Sequence, residues 1–283
     1  MDKLSEEQLQ RYARQIILPG FGGEGQKRLR RASALVVGVG GLGSAAALYL
    51  AAAGLGRLGL ADSDTVQLSD LQRQVLYTTA DLGRPKLAVA AARLAALNPD
   101  VCVRQHPERL TAQNARALIA EYDLVLDCSD NFPTRYLTND ICALLGKPNI
   151  YGSVFRFEGQ LSVFHPSAGG PCYRCLYPEP PGPDVVPSCA QAGIIGVLPG
   201  VIGTLQASEA LKLILGLGQP LIGRLFLFDA LEGSFRVVTI SKNENCPLCG
   251  ANPTISQPKA YEQFPAQGGS ATSESEANND DQG

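Results

Sequence analysis

The chain has 283 residues, of which 45% are hydrophobic and 18% are charged, and its formal net charge is −3. This balance is typical of a globular protein with a proper core, and it excludes a wholly disordered or collagen-like chain. It also provides no general positive field that would attract phosphate backbones, so nucleic acid is not an expected partner.

Residues 1–31 form a predicted N-terminal helical segment. Ser5 and Gln8 have the spacing of a capping box, and a helical pattern of polar and apolar residues continues to Pro19. A glycine-rich turn then leads into a basic amphipathic stretch that ends at Arg31.

The charged N-terminus does not resemble a signal peptide, and eight cysteines in a chain of this length favour a reducing, cytoplasmic setting.

Residues 32–153 are predicted to form a nucleotide-binding α/β half. Short apolar runs that suit buried strands alternate with helical patterns along this region. The predicted strands cover residues 34–38, 57–62, 101–105, 123–127 and 149–153. The predicted helices cover residues 43–53, 86–97, 112–120 (behind Thr111 as N-cap) and 134–145. This alternation predicts βαβ crossovers and a Rossmann-like, doubly wound, mainly parallel sheet.

Residues 154–250 are predicted to form the C-terminal half of the same domain. Their strand patterns favour antiparallel pairing that extends the sheet, around a helix near 202–215. These strands cover residues 159–164, 224–228 and 235–240. The proline-rich stretch 178–187 is predicted to be an exposed crossover, and the polar tail 251–283 to be disordered.

Two uncharged stretches, 32–56 and 185–208, have the composition of membrane spans. Glycine or proline interrupts both of them, whereas a span needs about 20 mostly apolar residues in one continuous helix. We therefore predict buried elements joined by turns and no membrane span.

Four glycines form a fingerprint between a predicted strand and a predicted helix: Gly38, Gly40, Gly41 and Gly43. Such a turn lets the backbone approach a nucleotide whose phosphates face the amides at the helix N-terminus. Asp62 ends the next predicted strand, where a carboxylate can accept hydrogen bonds from ribose hydroxyls. The pattern indicates nucleotide binding without identifying the nucleotide, and the alternative is a tight turn beside a solvated aspartate.

Arg73 and Lys86 are the candidate phosphate ligands, because they lie a short loop apart near the nucleotide turn, with Lys86 opening the following helix. Two such cations suit the β- and γ-phosphates of ATP better than a nicotinamide, although each could be an ordinary surface charge. Asp130 follows the fourth predicted strand at the edge where ligands of α/β sheets bind. It could hold Mg²⁺ there, or it could cap the helix predicted from residue 134.

Two CxxC pairs predict a closed zinc site, formed by Cys172, Cys175, Cys246 and Cys249. Four thiolates on two turns favour tetrahedral structural zinc over redox pairs or unpaired thiols. The other cysteines in strand or helix patterns are predicted to be core residues: Cys102, Cys128 and Cys142.

Motifs spread over residues 5–250 resemble those of the ubiquitin-activating-type adenylyltransferases, the HesA/MoeB/ThiF family. In chain order these motifs are RYARQI, GVGGLG, DSD, LSDLQRQ, GRPK, DCSDN, the two CxxC pairs and PSCAQAGIIGVLPG. So many motifs in one order make the resemblance specific, and it agrees with a zinc site made of four cysteines.

The resemblance implies that ATP lies at the glycine turn, with its ribose on Asp62 and its phosphates on Arg73 and Lys86. It implies Mg²⁺ near Asp130 and a homodimer in which Arg14 reaches the partner's site. Further nucleotide-binding positions by the same resemblance are Asp64, Ser69, Asp70, Gln74 and Asn131.

Asp70 departs from the family pattern, because family members commonly have asparagine at this position. The added negative charge is expected to weaken triphosphate binding unless the carboxylate faces away from the site or helps to coordinate Mg²⁺.

Cys189 follows the proline-rich crossover. The matching cysteine carries an acyl group in some relatives and is dispensable in others, so Cys189 could be covalent or an inert loop thiol.

The resemblance implies an enzyme that adenylylates the C-terminal Gly-Gly carboxylate of a ubiquitin-like sulfur-carrier protein. The acyl-AMP is then converted to a thiocarboxylate, for molybdopterin or thiamine biosynthesis, with sulfur from a separate donor protein. The alternatives are a related activator of a small-molecule or tRNA-borne carboxylate, an NAD-dependent Rossmann oxidoreductase, and a binding module without catalysis.

Overall fold

The computed structural model describes residues 3–181 and 192–258. Its α-helices are α1 (Glu6–Arg11), α2 (Ala13–Ile16), α3 (Gly22–Arg31), α4 (Gly41–Ala53), α5 (Lys86–Leu97), α6 (Ala115–Ala120), α7 (Phe132–Leu144), α8 (Tyr173–Leu176) and α9 (Val197–Leu215). Its strands are β1 (Ser33–Val37), β2 (Arg57–Ala61), β3 (Cys102–His106), β4 (Leu124–Asp127), β5 (Asn149–Phe155), β6 (Glu158–Phe164), β7 (Arg224–Asp229) and β8 (Ser234–Thr239). Short 3-10 turns occur at Leu68–Asp70, Thr79–Asp81 and Pro166–Ala168.

The strands form one eight-stranded sheet in the order β3-β2-β1-β4-β5-β6-β7-β8. The strands β1 to β5 pair in parallel, and β5 to β8 pair antiparallel. The order reverses direction at β1, which is the switch point where open α/β sheets bind ligands at the carboxyl ends of their strands. The predicted fold class, a doubly wound parallel sheet with an antiparallel extension, is confirmed.

Apolar side chains on both faces of the parallel strands explain why helices cover both sides. In β1, Ala34 and Val36 belong to the core cluster beneath α4, α5 and α9. Their neighbours Leu35 and Val37 belong to the cluster beneath α6 and α7. Successive strand residues point to opposite faces, so a strand that is apolar throughout needs a helical layer on each side.

A buried tyrosine anchors the N-terminal segment to the sheet domain and interrupts its predicted single helix. The capping box of Ser5 and Gln8 is confirmed at the start of α1. The helix is broken between α1 and α2 at Tyr12, which is 1% exposed. Its hydroxyl accepts a hydrogen bond from Asn98 Nδ2 at 2.8 Å and donates to Asp100 at 3.1 Å. This docking favours a bend over a straight helix running to Pro19.

Two helices begin three or more residues from their predicted starts. Helix α6 begins at Ala115 and not at residue 112, because Thr111 and Asn114 close a turn ahead of it. The Asn114 side chain accepts from the Thr111 amide at 2.8 Å, and the Thr111 hydroxyl accepts from the Asn114 amide at 3.4 Å. Helix α9 begins at Val197 and not at 202, since its first turn tolerates Pro199.

The prediction that Cys102 is a core residue was also wrong. Cys102 is exposed, whereas Cys128 and Cys142 are buried as predicted. Cys102 begins β3, which lies at the outer edge of the sheet and has little cover.

Within residues 3–181 and 192–258, no helix is both long enough and apolar enough to cross a membrane.

Helices α4 and α9 pack against each other over the switch point, and a glycine permits the contact. A Cβ atom built at Gly203 would lie 2.2 Å from the Leu42 carbonyl oxygen of α4. One turn earlier on the same helix, a Cβ atom at Gly200 would meet no atom within 4 Å. The backbones of the two helices therefore approach closely at Gly203 only because it has no side chain.

We predict opposite effects of alanine at these two glycines. G203A is expected to lower the free energy of unfolding by about 2–3 kcal/mol through overpacking. G200A is expected to raise it by about 0.5–1 kcal/mol, because alanine has a higher helix propensity than glycine and its methyl group would meet no atom within 4 Å. Urea unfolding followed by circular dichroism measures both changes, and equal stability of the two variants would contradict the packing described for α9.

Candidate functional site

A cavity of about 370 Å³ opens at the carboxyl ends of the parallel strands, beside the β1–α4 turn. The predicted nucleotide-binding residues that line it are Gly38, Gly40, Gly41, Asp62, Asp64, Asp70, Arg73, Gln74, Lys86, Asp130 and Asn131. These residues come from distant parts of the sequence and meet because parallel strands end at one edge of the sheet. The volume lies within the usual range of small-molecule sites.

The glycine turn requires glycine at its first and last positions. Gly38 has a φ of +86°, and a Cβ atom there would lie 2.9 Å from the Cys128 carbonyl oxygen. A Cβ atom at Gly43 would lie 2.0 Å from the Gly38 carbonyl oxygen, so a larger residue would separate α4 from the turn. Gly40 and Gly41 face the cavity, where the absence of side chains leaves the amides at the start of α4 open to a ligand.

Asp62 ties the turn to the end of β2. Its Oδ2 accepts a hydrogen bond from the Val39 amide at 2.8 Å, and its Oδ1 accepts one from the Asp64 amide at 2.9 Å. Burial raises the pKa of the Asp62 carboxyl, while the two backbone hydrogen bonds oppose that rise. The carboxylate is thus held in one orientation at the cavity wall, ready to accept further hydrogen bonds.

The two candidate phosphate ligands are already paired with carboxylates. Lys86 is 5% exposed, and its Nζ lies 3.2 Å from Asp64 Oδ2 and 3.7 Å from Asp70 Oδ2. A guanidinium nitrogen of Arg73 lies 3.4 Å from Asp70 Oδ1, which also accepts a hydrogen bond from Gln74 Nε2 at 2.8 Å. A buried ammonium group needs such partners, since an unpaired charge is costly to bury.

Asp130 lies at the cavity without serving as a helix cap. The cap of α7 is Asn131, whose side chain accepts from the Thr134 amide at 2.9 Å. Asp130 is exposed, and its Oδ1 accepts a hydrogen bond from Asn131 Nδ2 at 3.4 Å. Its carboxylate makes no ion pair within the described parts of the chain, so it suits a hard cation such as Mg²⁺, which prefers oxygen ligands.

Three predicted site residues do not line the cavity: Arg14, Gly43 and Ser69. Gly43 acts through packing against Gly38, as described above. Ser69 is exposed, and its carbonyl oxygen accepts a hydrogen bond from Arg73 at 2.7 Å. Arg14 is exposed on α2, so its side chain is available to another molecule.

Sequence reasoning missed part of the cavity wall. Glu108, Arg109 and Leu110 line it from the loop that follows β3. Their signal was available, because the carboxyl end of a third parallel strand must lie at the same edge of the sheet. Ile194 lines it from the segment before α9, and Pro199 lines it from the first turn of α9. Both residues belong to the motif PSCAQAGIIGVLPG, but the sequence analysis singled out only Cys189 within that motif.

A buried arginine supports the loop that carries Asp130. Arg135 donates to the Ser129 carbonyl oxygen at 2.9 Å and to Ser153 Oγ at 3.2 Å. Its Nε lies 3.8 Å from a carboxylate oxygen of Asp127, which is fully buried at the end of β4. Burial raises the pKa of Asp127, and the nearby Arg135 opposes that rise. Arg135 therefore links β4, β5 and α7 directly behind the cavity.

The four cysteines of the CxxC pairs meet in one cluster, in which all Sγ atoms lie within 4.8 Å of one another. The Sγ distances are 3.5 Å for Cys172 to Cys246, 3.5 Å for Cys175 to Cys249, and 4.0 Å for Cys172 to Cys175. Zinc–sulfur bonds of about 2.3 Å place tetrahedral sulfurs about 3.8 Å apart. The cluster therefore fits a four-coordinate metal ion.

The cysteine cluster is joined to α7, the helix that starts beside Asp130. Arg174, between Cys172 and Cys175, forms a bidentate pair with Asp140 of α7 at 2.8 and 2.9 Å. The neighbouring Tyr173 amide donates to Asn139 Oδ1 at 2.8 Å. Residues 182–191, which include Cys189 and part of the proline-rich crossover, and the tail beyond residue 258 lie outside the described residues.

Sequence comparison relates this chain to enzymes of known name. A model of the ThiF family matches residues 12–248. The sulfur carrier protein adenylyltransferase of Thermus thermophilus is 56% identical over 264 residues, which cover 92% of this chain and 97% of that protein. Adenylyltransferase and sulfurtransferase MOCS3 of Bos taurus is 50% identical over 262 residues, which cover 92% of this chain and 57% of that protein. The chain thus spans little more than half of the bovine relative.

Solved structures share the fold at lower sequence identity. The crystal structure of PaaA aligns with a TM-score of 0.71 at 24% identity, covering 85% of this chain and 76% of PaaA. The crystal structure of E. coli MccB with ATP aligns with a TM-score of 0.69 at 20% identity, covering 80% of this chain and 68% of MccB. At these identities the likeness concerns the fold alone.

Proposed function

The chain belongs to the ThiF family, and on that premise we propose that it is an ATP-dependent adenylyltransferase that activates the C-terminal carboxylate of a sulfur-carrier protein. The observation that carries the proposal is that Arg73 and Lys86 both line the cavity beside the glycine turn, each within 4 Å of the Asp70 carboxylate. Two cations so close to helix-start amides suit a triphosphate and have no evident use with a nicotinamide.

The chain's own residues account for nucleotide binding. The amides at the start of α4 face the phosphates, and Asp62 accepts hydrogen bonds from the ribose hydroxyls. Arg73 and Lys86 lie on the cavity wall formed by residues 62–86, where they neutralise the phosphates farther from the sugar. Asp130 and Asn131 close the opposite side of the cavity at the end of β4.

The reaction is an in-line displacement at the α-phosphorus. An oxygen of the carrier's terminal carboxylate forms the new P–O bond, and the bond from the α-phosphorus to the bridging oxygen of the β-phosphate breaks. The products are acyl-AMP and pyrophosphate. The carboxylate is already ionised, so the protein needs to orient it and to neutralise the leaving group, without supplying a base. Mg²⁺, when bound with ATP at Asp130, would supply further positive charge.

The carrier is expected to be a ubiquitin-like protein with a C-terminal Gly-Gly, because a flexible, narrow tail can reach a cavity within the sheet edge. Docking of its folded body would supply the binding energy that places the tail. The acyl-AMP would then become a thiocarboxylate with sulfur from a separate donor protein, for molybdopterin or thiamine synthesis. A cytoplasmic location suits both ATP chemistry and a reduced cysteine cluster.

The cysteine cluster is proposed to bind one structural zinc ion. Four sulfurs occupy all four positions of a tetrahedral ion, which leaves none open for catalysis. The ion would hold the segment containing Cys172 against the segment containing Cys246. Through Arg174 and Asp140 it would also support α7.

The active form is proposed to be a homodimer with shared sites. Arg14 is exposed and lies outside the cavity of its own chain, so it is free to reach a second copy. A guanidinium group can bridge phosphate oxygens bidentately, which would complete the charge neutralisation at the partner's nucleotide.

Removing the side chain of Arg73 or of Asp130, which lie on opposite sides of the cavity, should stop adenylylation. R73A and D130A are each expected to lower ATP–pyrophosphate exchange about 100-fold or more, because leaving-group neutralisation is lost. Exchange is measured with a sulfur-carrier protein ending in Gly-Gly and MgATP. The control is R84A, which removes an arginine paired with Asp81 away from the cavity. Near-normal exchange in R73A or D130A would remove that residue from the mechanism.

Metal analysis tests the zinc proposal. The wild-type protein is expected to contain about one zinc ion per chain, and C172S should lose it with a fall in Tm of about 5 °C or more. C142S, which alters a buried cysteine outside the cluster, should retain the metal. A zinc-free wild type, or C172S with an unchanged Tm, would contradict the proposal.

Mixing two inactive variants tests the shared site. R14A and D130A subunits should form heterodimers in which one of the two sites has both residues intact. Exchange activity should therefore return to about a quarter of wild type if subunits mix at random. Persistent inactivity despite demonstrated subunit exchange, or full activity of a monomer, would contradict the proposed homodimer.

A further inference from the structure

The carboxylate of Asp70 lies within 4 Å of both candidate phosphate-binding cations, Arg73 and Lys86. Asp70 is 6% exposed and lines the cavity. Its Oδ1 lies 3.4 Å from an Arg73 guanidinium nitrogen, and its Oδ2 lies 3.7 Å from Lys86 Nζ. The carboxylate therefore faces the site. Its negative charge is not directed away from a bound triphosphate, which was one of the two conditions under which it would not weaken binding.

The cavity carries more negative than positive side chains. Of the described residues that line it, five are Asp or Glu and three are Arg or Lys. A nucleotide triphosphate or pyrophosphate adds further negative charge. Each cation that Asp70 neutralises is consequently less able to attract a phosphate than an unpaired cation would be.

We propose that Asp70 is a displaceable counter-anion, which holds Arg73 and Lys86 in the empty site and competes with phosphate groups for them. This inference rests on the proposed function. When a triphosphate binds, its oxygens replace the Asp70 carboxylate as partners of the two cations. When pyrophosphate leaves, Asp70 pairs with them again, so the carboxylate weakens the hold on the leaving product. Asp70 is thus a positioning residue that sets pyrophosphate affinity.

A second aspartate shows that local structure alone does not explain this arrangement. Asp70 ends a short 3-10 turn and accepts a hydrogen bond from the Gln67 amide at 3.0 Å. Asp81 ends a similar turn, accepts from the Thr78 amide at 3.0 Å, and also pairs with two arginines. Asp81 does not line the cavity. The two aspartates have the same capping role, and only Asp70 also faces the phosphate-binding cations.

Asparagine at position 70 removes the charge and can keep the local packing. It has the shape of aspartate, and its oxygen can still accept from the Gln67 amide. Gln74 Oε1 is buried and has no hydrogen-bond partner within the described parts of the chain. Rotation of the Gln74 amide would let this oxygen accept from the new Asn amide group. D70N should therefore fold like the wild type.

Calorimetry with pyrophosphate, without added divalent metal and at fixed ionic strength, tests the proposal on the full chain. D70N is expected to bind pyrophosphate at least about fivefold tighter than the wild type, the size of one unit-charge interaction at 4 Å with water-like screening. D81N, the matched control, should keep wild-type affinity. Loss of a purely structural cap would weaken binding, so the sign of the change separates the two roles.

Equal or weaker pyrophosphate binding by D70N would overturn the role of Asp70, and so would equal tightening by D81N. The ATP–pyrophosphate exchange assay on the wild type separates this failure from failure of the proposed function. Exchange by the wild type with unchanged affinity in D70N overturns the counter-anion alone. Absence of exchange together with absence of pyrophosphate binding in every variant overturns both.

Discussion

The close approach of backbone at the β1–α4 turn is the constraint on which the site depends. Helix α4 can start against the Gly38 carbonyl only because Gly43 has no Cβ atom, which would lie 2.0 Å from that oxygen. The same helix then packs backbone to backbone on α9 at Gly203, so the turn and one helical layer are positioned together. Asp62 joins the turn to β2, and the amides at the start of α4 face a cavity instead of side chains.

Electrostatic pairing shapes the other wall of that cavity. Lys86 is almost fully buried and is tolerated there because Asp64 and Asp70 neutralise it. The cations that suit phosphate are therefore not free charges that wait for a ligand. A ligand must exchange partners with the carboxylates, so the affinity of the site reflects a competition between two sets of anions, one of them belonging to the protein.

The far side of the cavity is held from behind by buried polar groups. Arg135 bonds the loop before α7, and Arg174 bonds α7 itself through Asp140. Arg174 lies within the first CxxC turn, so the cysteine cluster and the start of α7 belong to one connected unit. Through the Arg174–Asp140 pair the cysteine cluster is joined to α7, the helix that follows Asp130.

The sequence alone determined the fold class, the glycine turn and the meeting of the CxxC pairs, because these depend on short-range periodicity, on glycine and on fixed cysteine spacing. The tertiary structure decided which strand lies at the edge, and therefore that Cys102 is exposed. It also turned Asp70 towards the cations and not away from them. Strand order and side-chain pairing arise from contacts between residues far apart in the chain, which local propensity does not encode.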